Sequence, residues 1–365
     1  MGQIAPFELE RWFAAQTPRA RIDLAGSGAP PLRLPELLAL ATPEERACFD
    51  DVSLGYGPPG GSGGLREAIA ARTESLGSEH VLVSCGAIEA LHLLIATLVG
   101  PGDEIVVQQP MYGAVAGLAR ARGARVLTWH LRADRSFRAE LADLAPLLTD
   151  RTRLVAITQP NAPTGSILDA AALAELVGLL VPRGIWLLSD EVYRDLVLDL
   201  GAKLPQAAEW YERAISIGDV AKPFGLGGLR IGWALTRDIG LVRRLAALRD
   251  YTTLSVPTVS DALARIALAH ADRILERARR NARTNLGELT GLARRGPVSF
   301  VPPQAGATAF IRVPDAAVVQ RRLADRGVAL VPGSLFGDPE RLRIGLAGAP
   351  DEFAIGLGEL EAALP

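Results

Sequence analysis

The stretch that decides the fold is ISIGDVAKPFGLGGLRIGWAL, residues 215–235. Lys222 lies at its centre, although this chain of 365 residues, with 39 Lys plus Arg, has only one other lysine, Lys203. A lysine amine can lose its proton and form a Schiff base, whereas arginine stays protonated. The apolar flanks are typical of short strands, and the glycines let backbone approach a ligand closely. The stretch therefore predicts a reactive lysine in a buried turn; a surface turn with an incidental lysine is the alternative.

Between residues 81 and 235, apolar segments typical of buried strands alternate with segments of helical periodicity. Near-continuous apolar strands separated by helices indicate a mostly parallel sheet covered on both faces. Asp169 has the position of a helix N-cap. In such sheets ligands bind beyond the carboxyl ends of the strands. The predicted strands are 81–83, 104–108, 125–131, 153–158, 185–189, 214–217 and 229–235, and the predicted helices are 87–99, 112–122 and 169–181.

A phosphate site is predicted where the first of these helices begins. Gly86, Ala87 and Ile88 open that helix directly after a strand, so free N–H groups and the helix dipole favour an anion there. Arg230, eight residues after Lys222, can add a cation to the same anion. Arg230 also stands where a dinucleotide-binding fingerprint requires its third glycine, so a dinucleotide site is not favoured.

Two further strands end in polar residues. Asp190 and Tyr193 follow the strand that ends at Ser189, and the segment QPNAPTG, residues 159–165, follows the strand before it. A carboxylate and a phenol just past a buried strand indicate a functional site and not merely a solvent-exposed surface. Their order along the chain, together with Lys222, predicts a site at the carboxyl edge of the sheet.

The pattern changes after Leu235. Long helical stretches over 238–251 and 258–293 lead into a smaller α/β region that begins at residue 297. Arg341 and Arg343 alternate on a predicted strand and therefore share one face. An inward arginine there can bind a carboxylate bidentately, and a surface pair on an edge strand is the alternative. The predicted strands are 298–301, 307–313, 328–331 and 341–346, and the predicted helices are 316–326 and 350–364.

The first forty residues are predicted to be peripheral. A short helix over 7–15 precedes a strand and a small-residue loop in which Ser27 and Gly28 can line a pocket. Tyr56 lies on a loop rich in glycine and proline, and residues 56–64 are predicted to form neither helix nor strand. The helix that follows is predicted over 65–76.

Composition excludes several classes of protein. The net charge of -2 gives no electrostatic footprint for nucleic acid or an anionic membrane. Cys48 and Cys85 are isolated, and the four histidines have no metal-binding spacing, so neither a disulfide framework nor a metal site is predicted. No secretory signal and no apolar run of membrane length are present, so we expect a cytoplasmic protein without a nucleic-acid or membrane partner.

Taken together, the chain resembles a class I/II aminotransferase of the aspartate aminotransferase-like, fold-type I family of pyridoxal phosphate (PLP) enzymes. The resemblance covers roughly residues 50–350 and seven pieces in the family's order. It implies an α/β fold with a mostly parallel seven-stranded sheet between helices and a smaller C-terminal α/β domain. The pieces are Tyr56 with Gly61 and Leu65-Arg66, residues 86–91, 110–112, 160–165 and 190–193, Ala221-Lys222 with Gly228, Arg230 and Gly232, and residues 343–347.

The resemblance also implies roles for individual residues. Lys222 would carry the cofactor as an internal aldimine, and Asp190 would pair with its ring nitrogen. Tyr193 would donate to the ring hydroxyl, and Tyr112 would stack on the ring. Arg343, near Tyr112, Ser27 and Gly28, would take the substrate α-carboxylate. The phosphate would be held by the Gly86 turn with the N–H groups of Ala87 and Ile88, by Arg230 and, from a neighbouring subunit, by Tyr56.

Three positions depart from the family pattern. Ala162 stands where relatives have the asparagine before Pro-Thr-Gly, so Asn161 is a candidate substitute cofactor ligand. Asp219 stands where a serine often contacts the phosphate, and we expect its carboxylate to point away or to accept from a backbone donor. Ile88 replaces a residue that is often polar.

We therefore predict a PLP-dependent aminotransferase that moves the amino group of an α-amino acid to a 2-oxo acid and acts as a homodimer. Residues 1–45 would form an N-terminal arm and part of the small domain, 46–255 the large PLP-binding domain, and 256–365 the interdomain helix and small domain. The alternative is a PLP-dependent lyase, cyclase or oxidase acting on an arginine-like amino acid. A PLP-binding regulator is a third possibility, but no basic DNA-binding segment is present.

Overall fold

The computed structural model describes residues 4–16, 20–198 and 204–365. The helices of these residues are α1 (Glu8–Ala15), α2 (Leu34–Leu38), α3 (Pro43–Asp50), α4 (Gly63–Ala70), α5 (Ala87–Leu98), α6 (Ala114–Ala121), α7 (Leu141–Leu144), α8 (Ala170–Leu180), α9 (Ala207–Trp210), α10 (Ile239–Arg249), α11 (Thr258–Ala269), α12 (Ala271–Arg295), α13 (Ala316–Asp325) and α14 (Pro350–Ala363). The strands are β1 (Ile22–Asp23), β2 (Val81–Ser84), β3 (Glu104–Gln109), β4 (Arg125–His130), β5 (Thr152–Thr158), β6 (Trp186–Asp190), β7 (Ala214–Asp219), β8 (Gly232–Thr236), β9 (Thr308–Arg312), β10 (Val328–Ala329), β11 (Val331–Pro332) and β12 (Arg341–Gly345).

The described residues form a central sheet of seven strands in the order β2-β8-β7-β6-β5-β3-β4. β8 runs antiparallel to both β2 and β7, and the other neighbouring pairs are parallel. Its central strands are apolar and buried because helices cover both faces, as the continuous apolar runs predict. The prediction of an α/β fold around a mostly parallel seven-stranded sheet is confirmed.

The C-terminal region forms a smaller layer of strands. β11, β12 and β9 make an antiparallel sheet, and β1 from the N-terminal region pairs in parallel with β10. A separate apolar cluster from these strands and from α12, α13 and α14 holds this layer together. β1 therefore ties the start of the chain to this layer; the predicted divisions after residues 45 and 255 stay a prediction.

Some predicted elements have different bounds. The single helix predicted over 258–293 is broken at His270, which separates α11 from α12. The strand predicted over 298–301 is reduced to one bridge between Ser299 and Arg312. Gly63 and Gly64, predicted to lie in a loop, begin α4, because the Ser62 side chain caps the helix by accepting from Leu65 N. The predicted cap at Asp169 is confirmed, since its carboxylate accepts from Ala172 N.

Within the described ranges, no helix is long and apolar enough to cross a membrane. The same ranges contain no group of three or more His, Cys, Asp or Glu side chains arranged to hold a metal ion.

Candidate active site

Lys222 lies in the turn that follows β7, at the carboxyl edge of the central sheet. Its Nζ donates to Ser27 Oγ at 3.0 Å, and its carbonyl oxygen accepts from Ala29 N at 2.8 Å. A Cβ added to Gly28 would lie 2.9 Å from that carbonyl oxygen, so only glycine lets the loop approach this closely. The loop around Ser27 and Gly28 therefore packs directly on Lys222. Lys203, the other lysine, lies outside the described residues.

Asp190 ends β6, the strand beside β7, and is buried. Its carboxylate accepts from Val192 N at 3.3 Å. Burial raises the pKa of Asp190 to about 7; the nearby carboxylates of Asp219 and Glu191 also raise it, and Lys222 lowers it. Burial disfavours the charged form of this carboxylate, and a cationic group of a ligand beside it would stabilise that form. The site is therefore suited to pair Asp190 with such a group.

Asp219 is buried at the end of β7. Its Oδ1 accepts from Ala221 N at 3.0 Å and from Lys222 N at 3.1 Å. The expectation that this carboxylate accepts from backbone donors is therefore confirmed. These bonds hold the turn that carries Lys222.

The start of α5 forms a cradle for an anion. Gly86 has a φ of 77°, in the left-handed region that favours glycine, and a Cβ on it would collide with the guanidinium of Arg230. A Cβ on Gly232 would likewise collide with Ala87 N. The guanidinium thus lies against Gly86, the residue that precedes the first N–H groups of the helix, and those groups have no partner from a preceding helical turn. The turn and Arg230 were predicted to lie together, and the structure brings them together. The Ile88 side chain is 39% exposed.

Tyr112 and Tyr193 are both near Asp190. Burial raises the pKa of the Tyr112 phenol, and the neighbouring Glu10, Asp190 and Tyr193 act in the same direction. The Tyr112 hydroxyl donates to Glu10 Oε1 at 2.8 Å, and its ring lies 4.8 Å from the Phe7 ring, centroid to centroid. Tyr193 is buried. The two phenols predicted to contact the cofactor therefore lie close to each other, and Tyr112 lies close to the buried carboxylate.

The amide side chains near Ala162 make hydrogen bonds to other residues of the protein. Asn161 Nδ2 donates to Pro110 O at 3.0 Å, and its Oδ1 accepts from Thr164 N and Oγ1. Gln159 Nε2 donates to Leu168 O at 2.5 Å, and its Oε1 accepts from Leu168 N at 2.9 Å. Asn161 therefore supports the loop of residues 159–165, and its bonds give no sign of a substitute for the side chain missing at Ala162.

Arg343 is buried on β12, with 4% of its surface exposed. Nη2 donates to Ala25 O at 2.5 Å, whereas Nε has no hydrogen-bond partner among the described residues. The guanidinium carbon lies 5.7 Å from the Phe13 ring centroid and 5.5 Å from that of Phe336. Burial lowers its pKa, and the nearby Tyr193 acts in the opposite direction. A buried guanidinium with an unused donor beside Tyr193 can take a carboxylate from a ligand.

Tyr56 lies apart from these residues. It is 92% exposed, on the loop before α4. Its expected role toward a neighbouring subunit stays a prediction.

The sequence analysis missed the part that α1 plays. Phe7, Glu10 and Phe13 contact Tyr112 or Arg343, although the first forty residues were predicted to be peripheral. Their spacing of three residues, which places them on one side of a helix, was the available signal. The prediction that this segment is peripheral is wrong for α1.

The described side chains fit pyridoxal phosphate. The α5 cradle with Arg230 suits its phosphate, the raised pKa of Asp190 suits a protonated ring nitrogen, and the Lys222 amine suits its aldehyde. The unused Nε of the buried Arg343 is a donor of the kind that suits a carboxylate, and the substrate role expected of it stays a prediction.

Comparisons with known proteins agree with this arrangement. Residues 25–354 match the family described as aminotransferase class I and II. Capreomycidine synthase from Streptomyces vinaceus is 35% identical over 98% of this chain and 93% of its own length. The crystal structure of a PLP-dependent aminotransferase from Streptococcus suis 89-1591 superposes with a TM-score of 0.93 at 29% identity, over 99% of this chain and 98% of that one. The PLP-dependent cyclase OrfR superposes with a TM-score of 0.89 at 30% identity, over 100% of this chain and 98% of that one.

Proposed function

This chain belongs to the aminotransferase class I and II family, and from that premise we propose how its residues serve the reaction. It is a PLP-dependent aminotransferase, which moves the amino group of an α-amino acid to a 2-oxo acid. Lys222 is the residue that binds the cofactor and later moves the proton at the substrate α-carbon. The observation that supports this role is the position of its amine, 3.0 Å from Ser27 Oγ and near the buried Asp190.

Other residues hold the cofactor and the substrate. Bound PLP supplies an electron sink for charge that develops at the substrate α-carbon. Asp190 keeps a proton on the ring nitrogen, because an ionised carboxylate in this buried place stabilises a cation. Arg343 orients the substrate through its α-carboxylate. The phosphate is bound by the N–H groups of Ala87 and Ile88 and by Arg230; Tyr112 packs on the ring, and Tyr193 donates to the ring hydroxyl.

The working unit is a homodimer. Four exposed apolar side chains support this proposal: Leu54 at 84%, Tyr56 at 92%, Tyr251 at 89% and Leu254 at 49% exposure. The loop of Leu54 and Tyr56 is fixed beside the start of α11, since Thr258 Oγ1 donates to Ser53 O at 2.8 Å. Apolar side chains on neighbouring loops are suited to bury one another across a two-fold axis. Tyr56 would then reach the phosphate bound by the partner. We also propose that the protein is located in the cytoplasm.

A second candidate function is cyclisation of an amino acid side chain on the same cofactor. The similarity to capreomycidine synthase over 98% of this chain and to the cyclase OrfR is the observation behind this candidate, and it is equally compatible with amino-group transfer. The two functions share the residues that activate the α-carbon and differ in the fate of the amino group. A transfer reaction consumes a 2-oxo acid, and a cyclisation does not.

The experiment that tests the proposal measures both halves of the transfer. The loaded enzyme is incubated with a panel of amino acids and a 2-oxo acid, and mass spectrometry follows the oxo acid formed and the amino acid gained. Equal amounts of the two products are expected, with none from Lys222→Ala. A product that keeps its α-amino group and forms without the 2-oxo acid would replace transfer by cyclisation. Undiminished turnover by Lys222→Ala would remove Lys222 from its role.

A further inference from the structure

α1 covers the substrate side of the site with one of its faces. Phe7 is the N-cap residue of α1, and Glu10 and Phe13, three residues apart within the helix, lie on the same side of it. The Phe7 ring packs against Tyr112, and the Phe13 ring lies against the guanidinium of Arg343. Glu10 lies between these two aromatic contacts. Its carboxylate is therefore held between the tyrosine proposed to stack on the cofactor and the arginine proposed to bind the substrate.

Only one of the two oxygens of the Glu10 carboxylate accepts a hydrogen bond from the described residues. Oε1 accepts from the Tyr112 hydroxyl at 2.8 Å, and Oε2 has no hydrogen bond within the described part of the chain. Burial raises the pKa of the Tyr112 phenol, so that phenol stays a neutral donor. The Glu10 carboxylate also acts to raise the pKa of the Arg343 guanidinium, against the effect of burial. A partly buried carboxylate oxygen thus remains available beside the two ligand-binding groups.

The charge of Glu10 discriminates between substrates. Once Arg343 has bound the α-carboxylate and the α-amino group has reached the cofactor, the substrate side chain is the remaining group that can carry a charge into the space beneath α1. A guanidinium or ammonium there is attracted by the carboxylate, and a second substrate carboxylate is repelled. The half-buried setting of Glu10 strengthens both effects, because water screens them less than at an exposed surface.

We infer that Glu10 is a specificity-determining residue, which selects amino acids with a positively charged side chain and disfavours dicarboxylic amino acids. The inference rests on the proposed function, since it requires Arg343 to hold the α-carboxylate. It extends that function by naming the class of the substrate and a contact that α1 makes to it.

Binding measurements test this inference separately from turnover. Stopped-flow absorbance of the PLP-loaded enzyme without a 2-oxo acid gives apparent dissociation constants for L-arginine, L-citrulline and L-glutamate, from the dependence of the cofactor's first absorbance change on amino acid concentration. Citrulline matches arginine in shape but has a neutral side chain. We expect arginine to bind roughly tenfold to a hundredfold more tightly than citrulline, the range of a hydrogen bond to a charged group, and glutamate to bind more weakly still.

The variants identify the responsible carboxylate. Glu10→Gln should bring the arginine and citrulline constants together, and Glu10→Asp should keep part of the preference. Glu8→Gln is the matched control, because Glu8 is an exposed carboxylate in the first turn of the same helix and should leave the ratio unchanged. Tyr112→Phe removes the donor to Glu10 but keeps its charge, and should retain the preference for arginine.

Three results would overturn the inference: equal binding of arginine and citrulline by the wild type, an unchanged ratio in Glu10→Gln, or the same loss in Glu8→Gln. Failure of the proposed function gives a different result. The arginine-to-citrulline ratio would then respond to Glu10→Gln as expected, while the separate product assay would find no amino group moved to the 2-oxo acid.

Discussion

At the scale of single residues, Arg341 and Arg343 differ in what surrounds them. They lie on the same strand, β12, and both are buried, as their alternation predicts for one inward face. Arg341 is occupied, because Nε donates to Asp338 at 2.9 Å and Nη1 donates to Phe310 O at 3.2 Å. Arg343 has an unused Nε. The shared face was predictable from the sequence, but the partners were not, because they come from distant segments.

We predict that Arg343→Gln raises the Michaelis constant for amino acids. Loss of one partner of a buried, hydrogen-bonded charge pair costs about 2–5 kcal/mol, so the increase should be at least tenfold. The cofactor absorbance should not change, because Arg343 is not proposed to contact PLP. Steady-state kinetics measure the effect, and Arg341→Gln, whose bonds stay within the fold, is the control. A larger increase in Arg341→Gln would assign the substrate carboxylate to that residue.

The raised pKa of Asp190 predicts how the stability of the cofactor-free protein varies with pH. In the unfolded chain this carboxyl has a pKa of about 3.9, and in the folded chain burial raises the pKa to about 7. The folded state therefore binds the extra proton, and the stability that Asp190 contributes is full below pH 4 and lost as the pH rises to about 7.

Asp190→Asn should remove this contribution, because the amide is neutral at every pH. Thermal denaturation of the cofactor-free proteins should give similar midpoints for wild type and variant near pH 4, and the midpoint of the variant should become the higher one as the pH rises to 8. Glu191, with a pKa also raised to about 7 by burial, is present in both proteins, and its repulsion of the Asp190 carboxylate adds to the difference with the same sign. A constant difference between the two midpoints across this range would contradict the assignment.

At the scale of elements, the turn from β2 into α5 depends on the glycine at position 86. We predict that Gly86→Ala weakens PLP binding about tenfold or more, because the new methyl group displaces the guanidinium of Arg230 from the phosphate cradle. A spectrophotometric titration of the cofactor-free protein with PLP gives the dissociation constant.

Gly102→Ala is the control for backbone strain. Gly102 also has a positive φ, 85°, but a Cβ on it would meet nothing within 4 Å. Both variants should lose about 1–2 kcal/mol of unfolding free energy from the left-handed backbone. Only Gly86→Ala should lose affinity for PLP; an equal loss in both would attribute the effect to strain alone.

Elements were predictable where local signals are strong. The inner strands of the central sheet are long apolar runs, and their carboxyl ends place Asp190 and Lys222 close together as expected.

The break between α11 and α12 at His270 could not be predicted, because no glycine or proline marks it in the sequence. The His270 ring bonds the Glu45 carboxylate at 2.8 Å, so the break lies where a distant helix, α3, contacts the chain. The strand expected at 298–301 has only one bridge, and two prolines follow it.

At the scale of the whole molecule, the site combines segments from both ends of the chain. The contacts of Phe13 and Ala25 with Arg343 join residues more than 300 positions apart. Local periodicity predicts α1 as a helix but not the surface on which it packs. The residues expected from the central motifs were therefore brought together, whereas the contribution of Glu10 required the tertiary structure.

The proposed homodimer predicts that two inactive proteins restore activity when mixed. In a hybrid of Lys222→Ala and Tyr56→Ala subunits, one of the two sites keeps both Lys222 and Tyr56. Random exchange in an equal mixture should therefore return about a quarter of the wild-type activity. The measurement is the transfer rate after dissociation and reassociation, with each variant alone as the control. No recovery, although sedimentation detects hybrids, would place Tyr56 outside the shared site.

The pairing of β1 with β10 also has a consequence for biosynthesis. Ile22 and Asp23 are translated early, but their partners are Val328 and Ala329, and Leu24 O accepts from Gly345 N at 2.8 Å. At about 5–20 residues per second, roughly 15–60 seconds of translation separate the two strands. The nascent chain can build its central sheet while the N-terminal segment waits unpaired. Closure of the substrate side by α1 is therefore among the last steps as the protein leaves the ribosome.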